Sequence, residues 1–212
     1  MMNGHLEINI ENILDRDFYK RDTLVVAREL LGKYLIRKIN GHTLISKIVE
    51  VEAYLGFEDK ASHTYAGRMT KRNEVMYGES GLAYVYFTYG MHNMLNVVTR
   101  EESIGEAVLI RGVEPISNID IFSDFRFGKE YINLSSYQRK NITNGPAKLT
   151  KAMAIDTSYN GMDMTKSDEL YIVHGESDLK IVSSRRIGID YAEEAIDYLY
   201  RFYVEDNSFV SK

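Results

Sequence analysis

The chain has 212 residues, 44% of them hydrophobic and 27% charged, with a formal net charge of −5; that is enough for one sizeable core and short for two. There is no cysteine, which excludes disulfides and thiolate-held zinc or iron–sulfur centres and fits a reducing compartment. No apolar stretch approaches the ~20 residues that span a bilayer, and Met1 to Glu11 lacks a basic region followed by an apolar run, so the sequence predicts no membrane partner, no secretory leader and a cytoplasmic location.

Asp22 or Thr23 is placed to cap a helix whose apolar positions Leu24, Val25, Leu30 and Leu31 recur at helical spacing, with Gly32 ending it. Two β-patterned runs follow, Lys33 to Ile39 and His42 to Leu55, separated by Asn40-Gly41, a strong short hairpin signal because a type I′ turn needs positive φ twice. The run Leu82 to Thr99 is broken at Tyr89-Gly90 and reads as a second hairpin; Glu106 to Val113 is a further strand that stops at Pro115. Residues 115–143 are the loosest part, read as surface loop and short helix. Asn144-Gly145-Pro146 opens a helix predicted through Ile155, with proline in its tolerated first-turn place. Leu170 to His174 and Lys180 to Asp190 read as strands, Tyr191 to Tyr200 as a late helix, and Phe202 to Val204 as a terminal strand. With no repeat, low-complexity tract or linker, the expectation is a single α+β domain over residues 1–212: a mostly antiparallel, curved β-sheet with flanking helices and a protruding β-hairpin.

Residues two apart on a strand share a face. Glu50, Glu52 and Tyr54 therefore lie on one side of their strand and Val49, Val51 and Ala53 on the other. Two readings are open: an ordinary exposed polar face, or a general base in a cleft beside an aromatic wall. Tyr84, Tyr86 and Thr88 form a similar face, either core packing or a pocket wall. Tyr89 sits at a hairpin tip, where burial is not available and a wedge entering a base stack is. Arg111 ends an apolar strand; buried there it needs a carboxylate on a neighbouring strand, whether as a structural ion pair or as part of a site. His63 has no second histidine at ligand spacing, so neither a metal nor another cofactor is expected. Charge is uneven: residues 121–151 hold six basic side chains against two acidic ones, and Arg68, Lys71 and Arg72 form a second basic cluster. An acidic total with local basic patches suits a protein that grips a short run of phosphates.

Taken together these residues resemble the alkyladenine (3-methyladenine) DNA glycosylase family. The similarity runs from about Leu24 to Val204 through Ile48 to Gly56 with Asp59 and His63, Gly67 to Thr70 with Arg72-Asn73, Tyr84 to Tyr86 with Tyr89 to Met91, Asn96, Leu109 to Pro115, and Gly145 to Leu149. Ordered blocks at family-like spacing are a specific signal where any one block is not. The resemblance implies a monofunctional hydrolase of base excision repair that flips alkylated or deaminated purines (3-methyladenine, hypoxanthine class) from double-stranded DNA, acts as a monomer, and in a bacterium works at the nucleoid. It matches Glu52 to the base that activates water and Arg111 to its partner, with Ile187 or Ile189 in the segment that also holds the water. Tyr54 and Tyr86 match the walls around the flipped base, His63 an edge contact, and Asn96 a side chain that crowds the 2-amino group of normal guanine. Tyr89 and Met91 match the intercalating tip, and Arg68, Gly145 and Lys148 match DNA-backbone contacts. Ser80 stands where the family has proline, and the net charge is more negative than the family's. Competing readings are a non-catalytic nucleic-acid binding module on the same fold, and an enzyme using Glu50 and Glu52 as a carboxylate pair on free nucleosides or sugars. Side-by-side carboxylates on one strand are poorly placed to flank a scissile bond.

Overall fold

In the computed structural model of the protein, which describes residues 8–211, the Asp22 carboxylate accepts from the backbone N–H groups of Leu24 (3.0 Å) and Val25 (3.2 Å) and so starts the expected helix. Residues 1–7, part of the stretch read for a secretory leader, and residue 212 lie outside the described residues. A short helix not anticipated from the sequence, α1 (Arg16–Tyr19), precedes this one, α2 (Thr23–Leu30). The strands β1 (Tyr34–Ile39) and β2 (His42–Tyr54) follow, joined through Asn40 (φ +50°) and Gly41 (φ +77°), the double positive φ that the dipeptide signalled. The second hairpin forms between β3 (Ala83–Thr88) and β4 (His92–Thr99), with Tyr89 at φ +51° and Gly90 at φ +67°. Then come β5 (Glu106–Pro115), α3 (Ile119–Phe127), α4 (Ser136–Lys140), α5 (Pro146–Ala152), β6 (Leu170–Val173), β7 (Ile181–Ser184) and β8 (Arg201–Val204).

All the strand pairs are antiparallel, and the eight strands form one curled sheet in the order β3-β4-β5-β2-β1-β6, with the β7–β8 ribbon attached through β8 to β2. The organising element is β2. One side pairs with β5 from Ser46 to Tyr54; the other pairs first with β1 and then, over Glu50 to Glu52, with β8. Its register against β5 shifts on both sides of Glu50, a bulge that bends the strand and re-aims its side chains. Opposite the bulge, Gly112 leaves no room for a side chain: a Cβ there would lie 2.7 Å from the Phe209 carbonyl oxygen and 3.2 Å from Glu50.

The main core joins Leu44, Ile48, Val51, Leu95, Val97 and Ile110 of the sheet to Val26 and Leu30 of α2, Phe122 of α3 and Leu149 of α5, all at most 2% exposed. Each such side chain contributes roughly 1.5–3 kcal/mol by leaving water. α2 packs on β2, and α5 on β4 and β5, so the helices brace three of the strands that carry the site. No helix among the described residues is long and apolar enough to cross a membrane.

Four boundaries differ from expectation. The strand read through Pro115 as a stop includes that proline at its end, an edge position where no ladder donor is needed. α5 ends at Ala152, before Ala154 turns to φ +49°. The strand read over 180–190 ends at Ser184, and residues 191–200 are not a helix but turns around a short 3-10 segment, Glu193–Asp197. Glu193 takes φ +46° there, and Ala192 and Ala195 bury against Ala61 and Ile189 in a small satellite cluster. Those tertiary contacts override a local helical pattern.

Candidate active site

The bulged end of β2 carries Glu50 and Glu52, both fully buried, so the exposed polar face is ruled out. β8 covers Glu50, and the segment after β7 covers Glu52. Arg111 on β5 lies between them: its Nε donates to Glu50 Oε1 (2.9 Å) and its Nη1 to Glu52 Oε2 (3.2 Å). The neighbouring-strand carboxylate that a buried arginine requires is thus present twice over. Burial works against the charge on Arg111, but Glu52 and Glu50 outweigh it and raise its pKa.

Glu52 accepts two further hydrogen bonds, from Tyr54 Oη at Oε2 (2.9 Å) and from the Ile187 backbone N–H at Oε1 (2.7 Å). A carboxylate offers about four acceptor positions; three are filled, and the open one is on Oε1. Burial, then the Glu52 charge, hold the Tyr54 hydroxyl well above its ordinary pKa, so it stays a donor.

Above this cluster is a cavity of about 240 Å³. Tyr54 of β2, Tyr84 and Tyr86 of β3, Asn96 of β4, Arg111 of β5 and His63 from the loop after β2 face it, with Ile187 to Ile189 and Tyr191 along the side formed by the last irregular segment. Glu52 does not line the cavity; it sits beneath Tyr54 and Arg111. The rings pack on one another: His63 lies edge-on to Tyr86 (4.7 Å between centroids) and Tyr84 tilts against Tyr86 (5.2 Å). His63 Nδ1 hydrogen-bonds Tyr84 Oη (2.9 Å). Burial, with Arg72 and Arg68 nearby, lowers the His63 pKa to about 4, so its ring is neutral at ordinary pH. Burial also raises the Tyr86 hydroxyl to about 12. Asn96 donates from Nδ2 to the Tyr84 carbonyl (3.0 Å), which fixes its amide on the cavity wall.

Of the residues singled out in the sequence, Glu52, Arg111, Tyr54, His63, Tyr86 and Asn96 are gathered within or directly beneath this cavity. Tyr89 borders its mouth and is 82% exposed; Met91 beside it is 68% exposed. Arg68 lies in an adjoining hollow of about 280 Å³ with Lys60 and Arg72, which shares His63 and Tyr191 with the cavity. Gly145 caps α5 just before Pro146, which touches the cavity. The Lys148 ammonium donates to Asn141 Oδ1 (2.7 Å), Asn144 Oδ1 (3.0 Å) and the Asn144 carbonyl (3.2 Å), which occupies its three hydrogens inside the protein. Among the described residues no group of three or more histidine, aspartate or glutamate side chains could hold a metal ion.

Four contributors were not anticipated. Arg186 is fully buried, grips Asp59 bidentately (2.6 and 2.7 Å), and lies 4.8 Å from the Tyr54 ring centroid. Arg201 and Ser211 both bond Glu50, and Tyr191 closes one side of the cavity. Arg186 has one signal in the sequence, the Arg185-Arg186 pair inside an otherwise strand-like run, and the other three have none.

Comparison with known proteins identifies the family of the chain. The family described as Methylpurine-DNA glycosylase (MPG) matches residues 17–208. A protein from Clostridium perfringens (strain SM101 / Type A), named "Putative 3-methyladenine DNA glycosylase", is 54% identical over 202 residues, 94% of this chain and 98% of the relative. A relative of the same name from Clostridium novyi (strain NT) is 55% identical over 199 residues, 94% and 98% of the two chains. The chain belongs to the methylpurine-DNA glycosylase family, DNA-repair hydrolases that act on N-glycosyl bonds.

Proposed function

We propose that this protein is a monofunctional DNA glycosylase that takes an alkylated or deaminated purine, of the 3-methyladenine and hypoxanthine class, out of duplex DNA and hydrolyses its N-glycosidic bond with water activated by Glu52. The carrying observation is the Glu52 carboxylate, buried beneath an aromatic cavity with three acceptor positions filled and one open on Oε1. Water occupies the open position. As the water oxygen bonds to C1′, Glu52 takes its proton and the electron pair of the C1′–N bond leaves with the base. The products are a free purine and a sugar carrying a C1′ hydroxyl. The same carboxylate stabilises the oxocarbenium-like charge on the sugar, and Arg111 keeps it ionised and oriented. A cationic base such as 3-methyladenine leaves directly as a neutral molecule; hypoxanthine must accept a proton as it departs.

Flipping costs a few kcal/mol, less where the lesion weakens pairing. Stacking on Tyr54 and Tyr86 returns about 1–3 kcal/mol per aromatic contact. Tyr89, held at φ +51° and exposed at the hairpin tip, fills the gap in the duplex, with Met91 against the minor groove. His63 contacts the base edge, and Asn96 crowds the 2-amino group of guanine. Arg68 and the backbone at Gly145 bind phosphates, and Lys148 joins them by exchanging one asparagine hydrogen bond. Among the described residues no lysine lines the cavity, so this reading includes no Schiff base and leaves the strand intact. The enzyme acts as a monomer.

The test is base release from a duplex with one hypoxanthine and from methylated DNA, comparing the wild type with Glu52→Gln. The expected result is free base and an alkali-labile site, with the variant slower by about 10²–10⁴-fold, the range for losing a general base. A variant as fast as the wild type overturns the role of Glu52. Binding without release from either substrate leaves a binding module.

A further inference from the structure

Glu50 is the second buried carboxylate of the site, and catalysis as proposed above makes no direct use of it. Its oxygens nonetheless accept four hydrogen bonds. Oε1 accepts from Arg111 Nε (2.9 Å), Arg201 Nε (2.7 Å) and Ser211 Oγ (2.7 Å), and Oε2 accepts from the Ser211 backbone N–H (2.7 Å). Ser211 bonds both arginines as well: its Oγ accepts from Arg111 Nη2 (3.3 Å) and its carbonyl from Arg201 Nη2 (2.8 Å). The segment leading to it is anchored by Asn207, which donates to Glu114 (2.9 Å), and by Phe209 against the core.

This arrangement decides how Arg111 meets Glu52. A free guanidinium facing one carboxylate takes the bidentate, two-bond geometry. Here Glu50 holds the Nε edge and Ser211 the Nη2 edge, so only Nη1 reaches Glu52, at Oε2. A bidentate arginine would also take the acceptor position on Oε1 that the water needs.

We propose that Ser211 and Glu50, braced by Arg201, form a clamp that positions Arg111, so that the C-terminal segment sets the geometry of the reacting carboxylate from outside the base pocket. The inference rests on the assignment of Glu52 and Arg111 to catalysis. Ser211 and Glu50 are positioning residues in it and touch no substrate.

The test is single-turnover excision from a duplex containing one hypoxanthine, with DNA affinity measured in parallel, for Ser211→Ala, Ser211→Thr and, as a control in the same segment, the exposed Ser208→Ala. Loss of one hydrogen bond to charged partners should slow excision by Ser211→Ala roughly tenfold with DNA affinity unchanged. Ser211→Thr, which keeps both the hydroxyl and the N–H, should restore most of the rate, and Ser208→Ala should match the wild type. The same Ser211→Ala change made in an Arg111→Lys background should add less than twofold, because the group it positions has gone. An equal further loss in both backgrounds, or a fall in affinity that accounts for the whole effect, marks Ser211 as merely structural and overturns the clamp. Wild-type excision by Ser211→Ala overturns it too. A wild-type protein that releases no base defeats the glycosylase reading itself, a result distinct from all of these.

Discussion

His63 takes no proton in the folded protein until the pH falls to about 4, because burial, Arg72 and Arg68 all oppose its charge. In the unfolded chain the same ring titrates near 6.5. Between these values the unfolded state binds the extra proton, so stability falls as the pH drops from about 6.5 to 4 and is fully present above that window. Thermal melts from pH 4 to 7 should show this slope, and His63→Gln should flatten it; an unchanged slope in the variant removes His63 as its source. The buried Arg186–Asp59 pair makes a second residue-scale expectation. Asp59→Asn leaves a buried guanidinium without its counter-charge, which should cost about 3–5 kcal/mol in urea unfolding. A loss under about 1 kcal/mol would mean that the carbonyls of Ala53 and Ala195, which also accept from Arg186, suffice.

Among the elements, the irregular segment 185–200 contrasts with the strands it covers. It supplies Ile187, Ile189 and Tyr191 to the cavity, yet has only a five-residue 3-10 turn of regular structure. β2 and β5 beneath it form the centre of the sheet. Backbone amides of 190–199 should therefore exchange with solvent through local opening, while those of β2 and β5 wait for global unfolding. Native-state hydrogen exchange measures this; equal protection in both regions would mean that the segment opens only with the whole protein. The misread helix at 191–200 has the same origin. Its apolar spacing is real, but Ala192 and Ala195 are too small to bury a helical face, and Arg186 holds the turn by donating to the Asp59 carboxylate and to the Ala195 carbonyl. The two hairpins were legible for the opposite reason: Asn40-Gly41 and Tyr89-Gly90 encode their turns within two residues.

For the molecule as a whole, a net charge of −5 opposes DNA, so the proposed reading requires affinity to come from local cations beside the cavity. Arg68, Lys71 and Arg72 make no ion pair among the described residues, which leaves them available to phosphates. Each phosphate neutralised contributes about −0.9 to the slope of log affinity against log salt. Arg68→Ala should reduce that slope by about one and weaken binding alike on damaged and undamaged duplexes. An unchanged slope would place Arg68 off the DNA path.

Local chemistry was enough to reveal α2 and its cap, both hairpins, the antiparallel α+β class and the ordered blocks that carry the family resemblance, because each is written in a few adjacent residues or in a period of two. The alternation along β2 also put Glu52 and Tyr54 on one face, and their hydrogen bond agrees with it. Whether that face met water or protein was not decidable from alternation, since a strand's period is the same in either case. Burial of Glu50 and Glu52 depends on β8 and residue 187, more than 130 positions away in the chain. Arg186, Arg201 and Ser211 likewise acquire their roles from partners that only the folded sheet brings within 3 Å. Turns and periodicity are local interactions, and the sequence states them directly; the charge balance of a buried site is a sum over distant segments, and only the tertiary structure performs it.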